Sequence, residues 1–162
     1  MTKEEITKII SDKFPGKIKE SKIVNFEPAL EVEKEIILEV LKFVSESKEL
    51  SFDLLSCLVG VDRIDRLEII YLLTSLEHKH KLALKVSLPK VGTEQCSVPT
   101  IETASFIWAG ADWHEREIAE LFGIKFLNHP DPRPLLLPEE WDEGFPLRRD
   151  WAGKDFIKLP EK

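Results

Sequence analysis

Ile6, Ile9, Ile10 and Phe14 recur at helical spacing, which predicts an amphipathic helix at the start of the chain. Thr2 and Glu5 form a capping box ahead of it, and Pro15-Gly16 ends it. Residues 18–26 and 28–32 then read as strands. Residues 33–47 place Ile37, Val40, Leu41 and Val44 on one face, a second amphipathic helix. Residues 51–61 are nearly all apolar and predict a central strand buried on both faces. After a turn at 62–65, residues 66–76 form another apolar strand. Residues 80–89 alternate: Leu82, Leu84, Val86 and Leu88 point one way, and Lys81, Ala83, Lys85 and Ser87 point toward water. Short links between these runs favour an antiparallel meander. Residues 89–100 read as a loop and 101–110 as a short helix. Asp112 and Glu115 then form a second capping-box pattern, and Asp112 stands four residues before Arg116 in the favourable acid-first order. Ile118, Leu121 and Phe122 make that helix's apolar stripe, and Gly123 suits its C-terminal stop. The expected fold is α+β, a small antiparallel or mixed sheet packed with helices over residues 1–123.

Beyond Gly123 the pattern changes. Five of the ten prolines fall between Pro130 and Pro146, and proline removes a donor while pushing its predecessor toward extended backbone. Residues 124–162 are therefore expected to be an extended, proline-rich docking tail, with a stretched reach on the order of 100 Å. The tail also carries Phe126, Leu135, Leu136, Leu137, Trp141, Phe145, Leu147, Trp151, Phe156 and Ile157. Each large apolar side chain gains roughly 1.5–3 kcal/mol on burial, so such a run must cover something. Part can return to its own domain, but the length favours a second protein.

Composition narrows the functions available. A net charge of −7 argues against nucleic acid, whose phosphates need a basic face. Lysine and glutamate abound while amides are scarce, with Gln95, Asn25 and Asn128 the only ones, a bias found in thermophiles. Cys57 and Cys96 form no CxxC pair, so a zinc or iron–sulfur site built by this chain alone is not expected, and Cys57 reads as a small buried hydrophobe. No run of eighteen apolar residues occurs, and membrane association is expected only through partners.

His114-Glu115 begins like a zincin motif, but Ile118 stands where the second histidine belongs. His114, Glu117 and His129 leave a small metal-dependent hydrolase as an alternative, and a free-standing adaptor as another. Glu115 and Glu117 point apart on a helix by roughly 200° and cannot flank one bond. Glu117 stands one turn from both Trp113 and Leu121, which predicts a partly buried carboxylate needing a cationic partner. Arg133, Arg148 and Arg149, half of the chain's arginines, are the candidates.

The stretch from Ala111 to Arg133, followed by 135–151, resembles the 30-kDa subunit family of complex I. The matching motifs are Glu115-Arg116-Glu117, Glu120, Leu121-Phe122-Gly123-Ile124, His129-Pro130-Asp131, Arg133 and Pro146-Leu147-Arg148-Arg149-Asp150. Pro134 departs from the pattern, which often has arginine there, so one interface contact is expected to be replaced. The resemblance extends over nearly the whole chain. It takes in the equivalent subunits of quinone-reducing complexes, chloroplast-type and archaeal relatives, and membrane-bound [NiFe]-hydrogenases. It implies a non-catalytic subunit without cofactor or metal, in the peripheral arm at the cytoplasmic face of the membrane. Its partners would be the large 49-kDa or [NiFe]-hydrogenase-large-like subunit and neighbouring iron–sulfur subunits. The equivalent hydrogenase subunit is the alternative. The interface residues implied are those in the motifs from Glu115 to Glu117, Phe122, Gly123, His129 to Asp131, Arg133, Trp141, and Pro146 to Asp150.

Overall fold

Thr2 Oγ1 accepts the Glu5 N–H while the Glu5 carboxylate accepts the Thr2 N–H, so the first helix, α1 (Lys3–Lys13), starts where the capping box sets it. The computed structural model describes residues 1–23, 26–90 and 98–153. The reading of residues 91–97, with Cys96, and of Phe156 and Ile157 lies outside the described residues. Strands β1 (Ile18–Ile23) and β2 (Phe26–Val32) follow, then a 3-10 turn at Lys34–Ile36 and α2 (Ile37–Glu46). The four residues expected on one face of α2 are the four it buries. Next come β3 (Leu54–Asp62), β4 (Arg66–Thr74), β5 (Lys81–Pro89), β6 (Thr100–Glu102), α3 (Ala111–Phe122) and β7 (Lys125–Leu127). Among the described residues no helix is long and apolar enough to cross a membrane.

The main sheet has the order β1-β2-β5-β4-β3. The meander β3-β4-β5 forms as expected, but β2 joins β5 in parallel, aligning Leu30 with Leu84. The sheet is therefore mixed. Passage through α2 carries the chain past the position of β5 and sets β3 down at the far edge. The expectation of a central β3 buried on both faces is thus corrected. Leu55 and Leu58 enter the core, while Cys57, Val59 and Val61 are half-buried and Leu54 is exposed. The buried centre is β4 and β5, where Leu67, Ile69, Leu73, Leu82, Leu84 and Val86 are sealed from solvent. The face expected to be wet on β5 is only partly so. Lys85 and Ser87 are half-buried, and Ala83 is covered because it is small and sits in register between Ala29 and Leu72. There Lys85 pairs with Glu31 at 3.0 Å and Ser87 donates to the same carboxylate. Glu68 is deeply buried beside them. Burial works against its charge, yet hydrogen bonds from Arg63 and Arg66 outweigh it and hold the carboxyl below its usual range.

β3 is an edge strand that α3 covers. Gly60 makes that approach possible, since a Cβ there would lie 2.9 Å from the Phe122 ring and 3.3 Å from Ile118.

Candidate docking site

The short helix expected over residues 101–110 does not form. β6 takes the first of them into a parallel pair with β7, and the remainder turns on the Ala104 carbonyl, which accepts from Ile107 and Trp108. Ala104 is sealed in the core, and the Trp108 indole donates to the Phe52 carbonyl. Long-range pairing and an anchored tryptophan outweigh a weak local helix preference.

α3 starts two residues earlier than the capping-box pattern predicts, behind Gly110, without a side-chain cap. Glu115 turns away from the helix end. Its Oε1 accepts the Ala104 N–H at 2.6 Å and its Oε2 accepts the Thr103 hydroxyl. The residue is fully buried. Burial pushes its carboxyl up to about 7, with Asp112 acting in the same direction and the two hydrogen bonds opposing. His129, whose side chain is 2% exposed, lies with its Nε2 3.7 Å from Glu115 Oε2 and 3.4 Å from Asp112 Oδ1. Its Nδ1 accepts the Asp131 N–H, so Nε2 carries the proton and donates to the Asp112 carbonyl at 3.2 Å.

The expectation for Glu117 is corrected: it is exposed, as is Trp113 one turn before it. The buried row of α3 is Ala111, Glu115, Ile118 and Phe122, and Glu117 stands roughly 200° around the helix from Glu115. Trp113 belongs to the outward row, so its bulk was a misleading marker. None of Arg133, Arg148 and Arg149 pairs with Glu117. Arg133 instead grips Asp131 with two hydrogen bonds of 2.7 and 2.8 Å, which hold the Asp131 carboxyl down to about 2.

From His129 the chain runs back along α3 as a strap, fastened at each turn of the helix. Arg116 donates to the carbonyls of Arg133 and Pro134 and approaches Asp131 at 3.7 Å. Pro134, the departure from the motif, thus contributes its carbonyl. Glu120 accepts the successive N–H groups of Leu135, Leu136 and Leu137 at 2.8–3.2 Å. Gly123 ends α3 in the left-handed region at φ +69, and the Phe145 ring packs where a Cβ on Gly123 would be. Arg148 donates to the Phe122 carbonyl at 2.7 Å and lies 4.7 Å over the Phe145 ring. The Leu147 N–H reaches the Leu121 carbonyl. Asp62, at the end of β3, accepts the Arg149 N–H at 2.7 Å and pairs with Lys90, which also approaches Asp150. Trp141 stacks on Trp151 at 6.2 Å.

Most of the implied interface residues therefore converge on α3 and the strap. Pro130, Arg133, Leu147, Arg149 and Asp150 are exposed, while Trp141, Pro146 and Arg148 are half-buried. Leu136 is 62% and Leu147 52% exposed. His114, Glu117 and His129 do not converge, and among the described residues no three acidic, histidine or cysteine side chains are placed to hold a metal ion. Thr103, Glu120 and Asp62 join the site without having been predicted as parts of its interface. For Glu120 a signal existed: three consecutive leucine N–H groups between prolines need acceptors.

The family model for the respiratory-chain NADH dehydrogenase 30 kDa subunit matches residues 30–156. An NADH-quinone oxidoreductase subunit of Chloroherpeton thalassium is 43% identical over 73% of this chain, which spans about half of that longer relative, 48%. An F420H2 dehydrogenase subunit of Methanosarcina mazei is 36% identical over 94% of both chains. A chain in the structure of the archaeal membrane-bound sulfane sulfur reductase shares the fold, with a TM-score of 0.69 over 92% of this chain and 85% of that one at 22% identity. On the extent of these matches and the motifs that α3 and the strap bring together, the chain belongs to the respiratory-chain NADH dehydrogenase 30 kDa subunit family.

Proposed function

We propose that this chain is a non-catalytic peripheral-arm subunit of a complex I-like, membrane-bound, ion-translocating oxidoreductase. It docks on the large subunit of that complex, beside the iron–sulfur subunits, and meets the cytoplasmic face of the membrane only through them. The observation that carries the reading is the strap. Its backbone is fastened by Arg116, Glu120 and Asp62, and its Arg148 side chain grips the Phe122 carbonyl, while Leu136, Phe145 and Leu147 stay exposed. Large apolar side chains on a pre-ordered backbone are suited to binding, because little ordering entropy remains to oppose association. The names of the relatives, subunits of NADH-quinone oxidoreductase and F420H2 dehydrogenase, support a dehydrogenase-type complex over the hydrogenase type. The test is co-purification of the double variant Leu136→Lys, Leu147→Lys with the other subunits. The variant should keep its circular dichroism and melting curve and lose at least about tenfold in recovered complex. Unchanged recovery would refute the strap as the grip.

A further inference from the structure

β7 is paired on one side only: among the described residues the small sheet consists of β6 and β7 alone. The Lys125 N–H donates to the Pro99 carbonyl, and the Leu127 carbonyl accepts from the Thr103 N–H. Both residues therefore direct their backbone groups at β6. Alternation along a strand turns the N–H and C=O of Phe126 to the opposite edge. A groove of about 610 Å³ runs along all three residues of β7, bounded by Arg116 and Ala119 of α3 and by Pro132 and Phe145 of the strap. Its walls are mainly apolar. Arg116 is already engaged by Asp131 and two strap carbonyls. Lys125, by contrast, is exposed at the rim and makes no ion pair among the described residues. The groove thus offers a free strand edge, an apolar lining and one unspent positive charge, on a chain whose net charge is −7.

We propose that this groove receives an extended peptide segment of a partner subunit, apolar with a flanking acidic residue, which adds to the free edge of β7 as a third strand. Strand addition takes its affinity from main-chain hydrogen bonds and its selectivity from side-chain pockets. Here the Phe126 N–H and C=O supply the bonds, the lining takes an apolar side chain, and Lys125 meets the acid. The inference rests on the proposed function, that the chain works within an assembly. It adds a second contact, separate from the exposed leucines of the strap.

Hydrogen–deuterium exchange at single-amide resolution tests it, on the isolated chain and on the complex purified with its partner subunits. In the isolated chain the Phe126 amide should exchange at least about tenfold faster than those of Lys125 and Leu127, and in the complex it should slow by about tenfold or more. Lys125→Glu should slow association at low salt about three- to tenfold and leave the melting curve unchanged. A complex that forms with Phe126 still exchanging fast overturns strand addition and leaves the docking role standing. Protection of Phe126 already present in the isolated chain overturns it too. Such protection means occupancy by this chain itself if independent of concentration, and by a second copy if it rises with concentration. Failure of the chain to join any complex removes both readings together.

Discussion

Leu82, near the start of β5, is sealed from solvent, whereas Leu136 in the strap is 62% exposed. The first is held by its side chain, packed in the core beneath the helices. The second is held by its backbone, whose N–H rests on Glu120 at 2.8 Å while the side chain reaches outward. The same residue type therefore does opposite work in the two halves of the molecule. In the sheet, backbone bonds come from regular ladders and stability comes from burial. In the strap, prolines preclude a ladder, and donors are taken up one by one: those of Leu135, Leu136 and Leu137 by Glu120 of α3, that of Leu147 by the Leu121 carbonyl and that of Arg149 by Asp62 of β3. The sheet spends its apolar surface on itself, and the strap keeps part of its own available.

The contrast can be broken most severely in the sheet. Leu82→Ala should lower the unfolding free energy by about 2–5 kcal/mol, read by denaturant titration, because it opens a void in the centre of the core. The strap should be lost in the same transition, since α3 is seated on β3. A separate, unchanged strap transition would contradict this.

Glu115, at the seam between the two halves, gives a pH-dependent effect. Burial raises its carboxyl from 4.5 to about 7 on folding, so the folded chain binds that proton more tightly than the unfolded one. Its contribution to stability is full below the ordinary carboxylate range and declines as pH rises toward and through about 7. Glu115→Gln, which can still accept from the Ala104 N–H, should gain up to about 3 kcal/mol over the parent at pH 8 and little at pH 4. Equal loss at both pH values would show that the hydrogen bonds, not the proton, dominate.

The smallest global effect sharpens the contrast. Glu120→Ala removes the shared acceptor of three strap N–H groups. Amide exchange at Leu135–Leu137 should accelerate about 10–100-fold while the global unfolding free energy falls by less than about 1 kcal/mol, as water replaces the acceptor at this partly exposed site. Glu120→Gln should fall between the two. A large global loss would mean that the strap is part of the core rather than a layer laid upon it.

Periodicity made much of the sheet half legible. The capping box of α1, the buried row of α2 and the alternation of β5 are local patterns, and local patterns have few competing solutions. The motif residues from Glu115 to Asp150 fall on α3, on Gly123 and Ile124 just past its end, and on the strap. Three errors share one cause. β3 looked central because both its faces are apolar, residues 101–110 looked helical, and Glu117 looked buried beside Trp113. Each depended on which distant element would arrive: β2 pairing with β5, β7 pairing with β6, and the rotation of α3 on Gly60.

What the chain determined by itself was the helices α1, α2 and α3, the apolar runs of the main-sheet strands, and the presence of an arginine-bearing, proline-rich end that could not join a central strand. Only the tertiary structure decided which carboxylate is buried, which backbone edge stays free and where each strap donor finds its acceptor. The physical reason is that propensity and amphipathicity act over a few neighbouring residues. The burial of Glu115 and the anchoring of Leu135–Leu137 arise from groups 11 to 17 residues away, brought within hydrogen-bond reach by folding.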